Sequence, residues 1–307
     1  MKLGSPIVLT ATVNLNSNSA PLLFDSAALQ APNREAVLVS EIRFFGRYPD
    51  GFVLGAGALR NLGPEARFNL RLGRYMITQD YVPMWVFAPS KDAIAENFYG
   101  ETGEGVISSF RWKLRRPMFI PPGAAFSASA LRAVSGDANN AFDGQVTPIS
   151  ITLVGRVVTG DFPNTTSVPW VSAYAPNTVS LLATNGDFMS QQGHLENELS
   201  NAVDILRING RICYGASGQH QDYTTLPAAL RYSHKCSLQH GNHHIVPQDT
   251  EFNVAFDAAS RSIDMNGLML QSGDRVLFKM RTPAAIAGDT ARVAPHLALE
   301  AVRREAV

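Results

Sequence analysis

Cysteine is nearly absent from this chain: Cys213 and Cys236 are the only two among 307 residues. Two thiols cannot supply the disulfide framework that staples small secreted folds. Charge is scarce as well, at 17% Asp, Glu, Lys and Arg against ~25% in an average soluble protein. That scarcity fits surfaces that other subunits will cover. Neither sign prevails, with 26 basic and 26 acidic residues, so no global field draws the chain to nucleic acid or anionic lipid. No apolar run approaches the ~18 residues of a membrane span. Thr10, Thr12, Asn14 and Asn16 interrupt the apolar core a signal peptide would need. The expectation is a chain made in a reducing cytoplasm and soluble there.

What is present is alternation broken by turns. The chain is 45% hydrophobic, with 24 glycines and 18 prolines spread along it, and is long enough for two domains of roughly 150 residues. Residues 6–16 put Ile7, Leu9, Ala11, Val13 and Leu15 on one face and Thr10, Thr12, Asn14 and Asn16 on the other, the pattern of a half-buried strand. Further strands are expected at 37–47, 66–77, 80–89, 108–117 and 147–158. Pro83 argues for an edge or a bulge in the third of these. Residues 91–105 start a short helix that dissolves into a Gly-rich loop.

The stretch RPMFIPPGAAFSASA (116–130) reads as strand, tight bend and strand, with proline fixing φ and Gly123 accepting positive φ. HHIVPQDTEFNVAF (243–256) reads as its echo, since Phe126 and Phe252 each follow a proline by five residues, at an offset of 126. A second match, Arg43, Gly46 and Arg47 with Arg207, Gly210 and Arg211, has an offset of 164, so a 38-residue insertion is expected in the first half. Repeats of this length are whole domains. The expected organisation is all-β: two tandem jelly-roll β-sandwiches with long loops and a few short helices. Residues 1–160 form the N-terminal jelly roll and 161–170 a two-proline linker. Residues 171–283 form the C-terminal jelly roll, opened by a strand at 178–184 and closed by one at 273–281. Residues 284–307 are a C-terminal tail, either a short helix with Pro295 in its first turn or a frayed end.

Four landmarks then occur in order: the acidic-Ile-Arg-aromatic strand Glu41–Phe44, the VP-apolar-W segment Val82–Trp85, the strand and bend Trp112–Gly123, and the closing strand Ile151–Gly155. This series resembles the major capsid proteins of tailless icosahedral bacteriophages, typically membrane-containing, of the double jelly-roll lineage shared with adenovirus hexon. The resemblance covers most of the first half and, through the repeat, the second less specifically, where HGNHH stands in place of a Trp strand. It implies a virion protein, made in the host cytoplasm, that forms a homotrimer of pseudo-hexagonal outline and tiles an icosahedral shell. Its partners would be itself, neighbouring trimers, a penton or vertex protein and membrane-associated virion proteins, with no direct nucleic-acid contact. The alternatives are a two-domain β-sandwich enzyme or carbohydrate binder of bicupin type, or another virion part such as a spike.

The chemical readings are weaker than the architectural one. Six of the seven histidines lie within 171–283 with both cysteines, and Cys236, His240 and His243 or His244 hold a zinc-compatible donor set. There is no Cys-x-x-Cys and no helical His-Glu-x-x-His, so polar loop histidines are preferred. Asp137, Asn139 and Asp143 resemble a calcium loop, but Ala141 stands where a ligand is needed. Arg111, Lys113, Arg115 and Arg116 with Phe110 and Trp112 imitate a base-stacking platform. Alternation sets the aromatics of that strand opposite its first cations, the pattern of a sheet with one buried face. No catalytic, cofactor-binding or metal residues are assigned, no cofactor is implied, and the chain is not expected to be an enzyme.

Overall fold

The computed structural model describes residues 2–15, 20–47, 66–87, 107–132, 146–175, 180–181, 189–216, 234–256, 262–282 and 291–306. The alternating first segment is strand β1 (Lys2–Leu15). It is followed by β2 (Leu22–Leu23), β3 (Ala36–Arg47), β4 (Ala66–Leu72), β5 (Tyr75–Met76), β6 (Val82–Pro83), β7 (Ile107–Ile120), β8 (Phe126–Arg132) and β9 (Thr147–Thr159). Two antiparallel sheets result, ordered β1-β9-β3-β7 and β2-β8-β4-β5, with β6 as an annex on β4. Leaving β6 aside, the first strand lies beside the eighth, the eighth beside the third and the third beside the sixth. In the other sheet the order is second, seventh, fourth, fifth. This is the pairing of a jelly roll.

The second half repeats it: β10 (Thr165–Tyr174), β11 (Ser180–Leu181), β12 (Met189–Glu196), β13 (Val203–Ala216), β14 (Lys235–His240), β15 (His243–Glu251), β16 (Ser262–Leu270), β17 (Arg275–Thr282) and β18 (Ala291–Ala306). Its sheets are β10-β18-β13-β16 and β12-β17-β14-β15, with β11 as an annex on β18. The pairing is again one-eight-three-six and two-seven-four-five. The chain is therefore a double jelly roll. Among the described residues the short helices are the 3-10 turns Pro32–Arg34 and Met84–Phe87 and one α-helical turn, α1 (Phe252–Ala255).

The duplication extends to irregularities. In β3, Val39 opposes Gly155 and Glu41 opposes Val154 on β9, leaving Ser40 as the extra residue of a bulge. In β13, Ile205 opposes Ala301 and Arg207 opposes Glu300 on β18, leaving Leu206 in the same role. Gly155 is required by this bulge, because a Cβ there would lie 2.4 Å from the Leu38 carbonyl oxygen. Aligned on the bulges, Glu41 corresponds to Arg207 and Arg43 to Asn209, two positions away from the sequence match of Arg43 with Arg207.

The bend between β7 and β8 is a type II turn: Ala124 N–H donates to Pro121 C=O at 3.1 Å, with Pro122 second and Gly123 third at φ 73°. Its counterpart is Gln271–Asp274, where Asp274 N–H donates to Gln271 C=O at 3.1 Å and Gly273 has φ 78°. The proposed echo at 243–256 is thus a correction. Pro247 sits inside edge strand β15, where its missing N–H costs nothing, and Phe252 begins a helix instead of a strand. The two turns stand 150 positions apart, so the expected 38-residue insertion shrinks to about 16.

Four more expectations are corrected. The stretch read as a linker, 161–170, runs into β10, the first strand of the second sandwich, a place assigned to 178–184. The tail at 284–307 contains β18, the longest strand, which lies between β10 and β13. Within 80–87, the described part of the segment at 80–89, strand is found only at Val82–Pro83, before the 3-10 turn. The strand at 273–281 is the seventh of its sandwich and not the closing one. The readings at 91–105 and at Asp137, Asn139 and Asp143 lie outside the described residues.

Each sandwich buries its own core. In the first, the Phe44 ring lies 4.7 Å from Phe68 and 4.6 Å from Phe87, which lies 5.0 Å from Trp112. In the second, Trp170, Ile208, Phe252, Phe278 and Leu299 pack together. Fully burying one such side chain contributes ~1.5–3 kcal/mol. Val168, Val171 and Ala298 of the second half belong to the first core, so the cores meet along a seam.

Candidate functional site

The seam forms because the β10-β18-β13-β16 sheet is covered on both faces. Leu297, Leu299 and Ala301 of β18 point into their own sandwich, while Ala298 joins the core of the first. Glu300 and Val302 share that second face and are buried too. On the neighbouring strand, Arg207, Asn209 and Arg211 occupy the corresponding face, and Asn209 and Arg211 are almost wholly buried.

Several polar groups brought into the seam find partners. The Arg207 guanidinium donates to the Glu300 carboxylate. Burial pushes the Glu300 carboxyl above the usual range, and the Arg207 charge opposes that rise. Asn209 Nδ2 donates to the Val86 carbonyl of the 3-10 turn Met84–Phe87 at 2.9 Å. Arg303 Nη2 donates to the Met76 carbonyl at 2.9 Å, and its guanidinium lies 5.6 Å from the centre of the Tyr75 ring. Val171 exchanges backbone hydrogen bonds with the first half, donating to Ile77 at 2.8 Å and accepting from Gln79 at 2.9 Å. The Phe119 N–H donates to Thr166 Oγ1 and the Thr166 hydroxyl donates to Phe119 C=O, both at 3.1 Å. At the rim, Arg115 pairs with Asp264, and Arg116 lies 3.7 Å from Asp204.

The candidate cations of β7 therefore divide. Arg111 and Lys113 are exposed on the outer face of the β1-β9-β3-β7 sheet, opposite the buried Phe110 and Trp112. Arg115 and Arg116 are seam residues. Phe110 and Trp112 therefore do not stand beside these cations, and the platform read from β7 is not assembled. The zinc-compatible set is likewise not brought together. His240 pairs across the β14–β15 hairpin with His243, and His244 is exposed. Cys236, four residues up the strand from His240, is buried in the second core, where burial pushes its thiol up to about 12. Four strand residues span ~13 Å, too far for one ion. Among the described residues no group of three or more His, Cys, Asp and Glu is placed to hold a metal.

Along the seam runs a polar groove of about 390 Å³, lined by Arg67, Asp80, Tyr81, Tyr174, His194 and Glu196 among others. Glu196 is committed within it, accepting from Arg275 Nε at 2.8 Å with His194 Nε2 at 3.4 Å. Sequence reasoning missed the seam residues, because Arg207, Asn209 and Arg211 alternate as a solvated face does. A buried polar layer and a wet one have the same periodicity.

No protein-family description matches the chain, and no curated protein matches it in sequence. Solved structures that resemble it include the Faustovirus major capsid protein, at TM-score 0.38 and 7% identity over 100% of this chain and 91% of that one. The glycosylasparaginase PNGase F of Flavobacterium meningosepticum gives 0.39 and 10% over 98% and 99%. An archaeal virus protein of triple jelly-roll fold gives 0.20 and 9%, over 96% of this chain and 59% of its own length. At these values the likenesses establish no kinship and assign no activity to this chain.

Proposed function

We propose that this chain is the major capsid protein of a tailless icosahedral bacteriophage, a structural subunit without enzymatic activity. The observation that carries the reading is the duplication: two jelly rolls with one pairing order and one bulge, fixed side by side through a buried face. Three such chains in a ring present six similar sandwiches, a block of pseudo-hexagonal outline that tiles a surface. The four sequence landmarks support the same reading. Low charge suits subunits whose sides are covered, because desolvating a charge is costly unless it is paired. Its place is then the virion shell, and its partners are its own copies, a vertex protein and membrane-associated virion proteins, with no direct contact to the genome. Electron microscopy of concentrated purified protein, or of the particle it comes from, tests this. Shells or hexagonal arrays of trimers are expected; isolated single chains at every concentration would contradict it.

A further inference from the structure

The two sandwiches differ in what covers their equivalent faces. The outer face of β10-β18-β13-β16 is buried within the chain, and the turn Met84–Phe87 is seated on it through the Val86 carbonyl and Asn209. Among the described residues nothing covers the equivalent face of the first sandwich. Phe45 is 38% exposed there and Val8 61%, beside Arg43, Arg111 and Lys113.

The equivalent of the seated turn is also bare. Both the turn Met84–Phe87 and helix α1 follow the fifth-strand region and precede the sixth strand of their sandwich. Each plants an apolar residue in its own core, Met84 in one and Phe252 in the other. Two residues after that anchor, Val86 is 1% exposed in the seam and Val254 is 70% exposed in solvent.

We infer that helix α1 of one copy docks, through Val254, on the outer face of the β1-β9-β3-β7 sheet of a second copy of this chain. The contact repeats between chains what the seam makes within one. Arg43, whose guanidinium donates to Glu41 on the same strand, stands where the bulge alignment places Asn209. Charge is complementary on balance: Arg111 and Lys113 lie on the receiving face beside Arg43, which is paired with Glu41, and the exposed Glu251 precedes Val254, while Asp249 is already engaged by Arg281 at 2.9 Å. A head-to-tail contact of this kind closes a ring when its rotation permits. Closure at three chains rests on the capsid reading above.

The test is sedimentation of the intact protein and of Val254→Asp and Phe45→Asp, with circular dichroism as the control for folding. Wild type is expected as a three-chain particle, and each variant as a folded single chain. A second measurement does not depend on weakening the contact. The double variant Phe45→Cys/Val254→Cys, treated with a short bismaleimide, should run as linked chains under denaturing conditions, and neither single variant should. A trimeric wild type whose Asp variants remain trimeric and whose Cys pair does not link overturns this interface and leaves the capsid reading standing. A wild type that sediments as single chains overturns both.

Discussion

At the scale of single residues, the seam is held by groups that are costly to leave alone. Glu300 is buried, and desolvation raises its carboxyl while the Arg207 charge is the main influence opposing that rise, so Arg207→Ala strands a buried carboxyl. A loss of about 3 kcal/mol is expected, the low end for breaking a buried pair, since Glu300 can escape by taking up a proton. The double variant Arg207→Met/Glu300→Leu should recover most of that stability in urea denaturation, because no unpaired charge remains. His234 supplies a pH dependence. Burial pushes its imidazole down to about 4 from an ordinary 6.5. The unfolded chain therefore binds a proton that the folded one refuses between those values. Stability is fully present above pH 6.5 and falls as pH drops towards about 4, by about 3 kcal/mol for this group. Urea midpoints between pH 7.5 and 4.5 should show that slope in wild type and a shallower one in His234→Gln.

At the scale of elements, the type II turn is written in both halves with different residues. Pro122 precedes Gly123 in the first, and Ser272 precedes Gly273 in the second. Since Ser272 occupies the position where proline is favoured, Ser272→Pro should stabilise the protein by ~0.4–1 kcal/mol, read as a raised urea midpoint. The same pair explains a misreading. Proline is conspicuous in sequence but optional in this turn, whereas the glycine at positive φ is the requirement, so following prolines led to Pro247 and away from Gly273. Strands with one wet face, such as β1 and β9, were legible by their alternation. Strand β18 was not. Covered on both faces, it carries Leu297, Ala298, Leu299, Ala301 and Val302 almost without interruption, and its Ala, Leu, Glu and Arg favour helix when read locally. Only pairing between β10 and β13 makes it a strand. The second half's counterpart of the bend strands, β16 and β17, was recognisable only in part, because β16 holds none of the aromatic residues that mark β7.

At the scale of the whole molecule, the double jelly roll was legible as a class, since turn-punctuated alternation and an internal repeat point to paired sandwiches. The seam was not, because its residues come from β7, β10, β13, β18 and the stretch from Tyr75 to Phe87, and nothing local announces that they meet. Its consequence is that the C-terminal strand belongs to both halves. Removing residues 291–306 takes the strand between β10 and β13 away and uncovers the first core at Ala298. That truncation should abolish cooperative unfolding of the second sandwich in calorimetry, where loss of a mere tail would leave the transition unchanged. The claim that gathers these observations is that one chain is a third of a ring of six similar sandwiches. The native mass of the purified protein tests it most directly. The account predicts a particle of about 100 kDa, three chains of 33.3 kDa. A stable, folded species of 33.3 kDa at every concentration examined would contradict it.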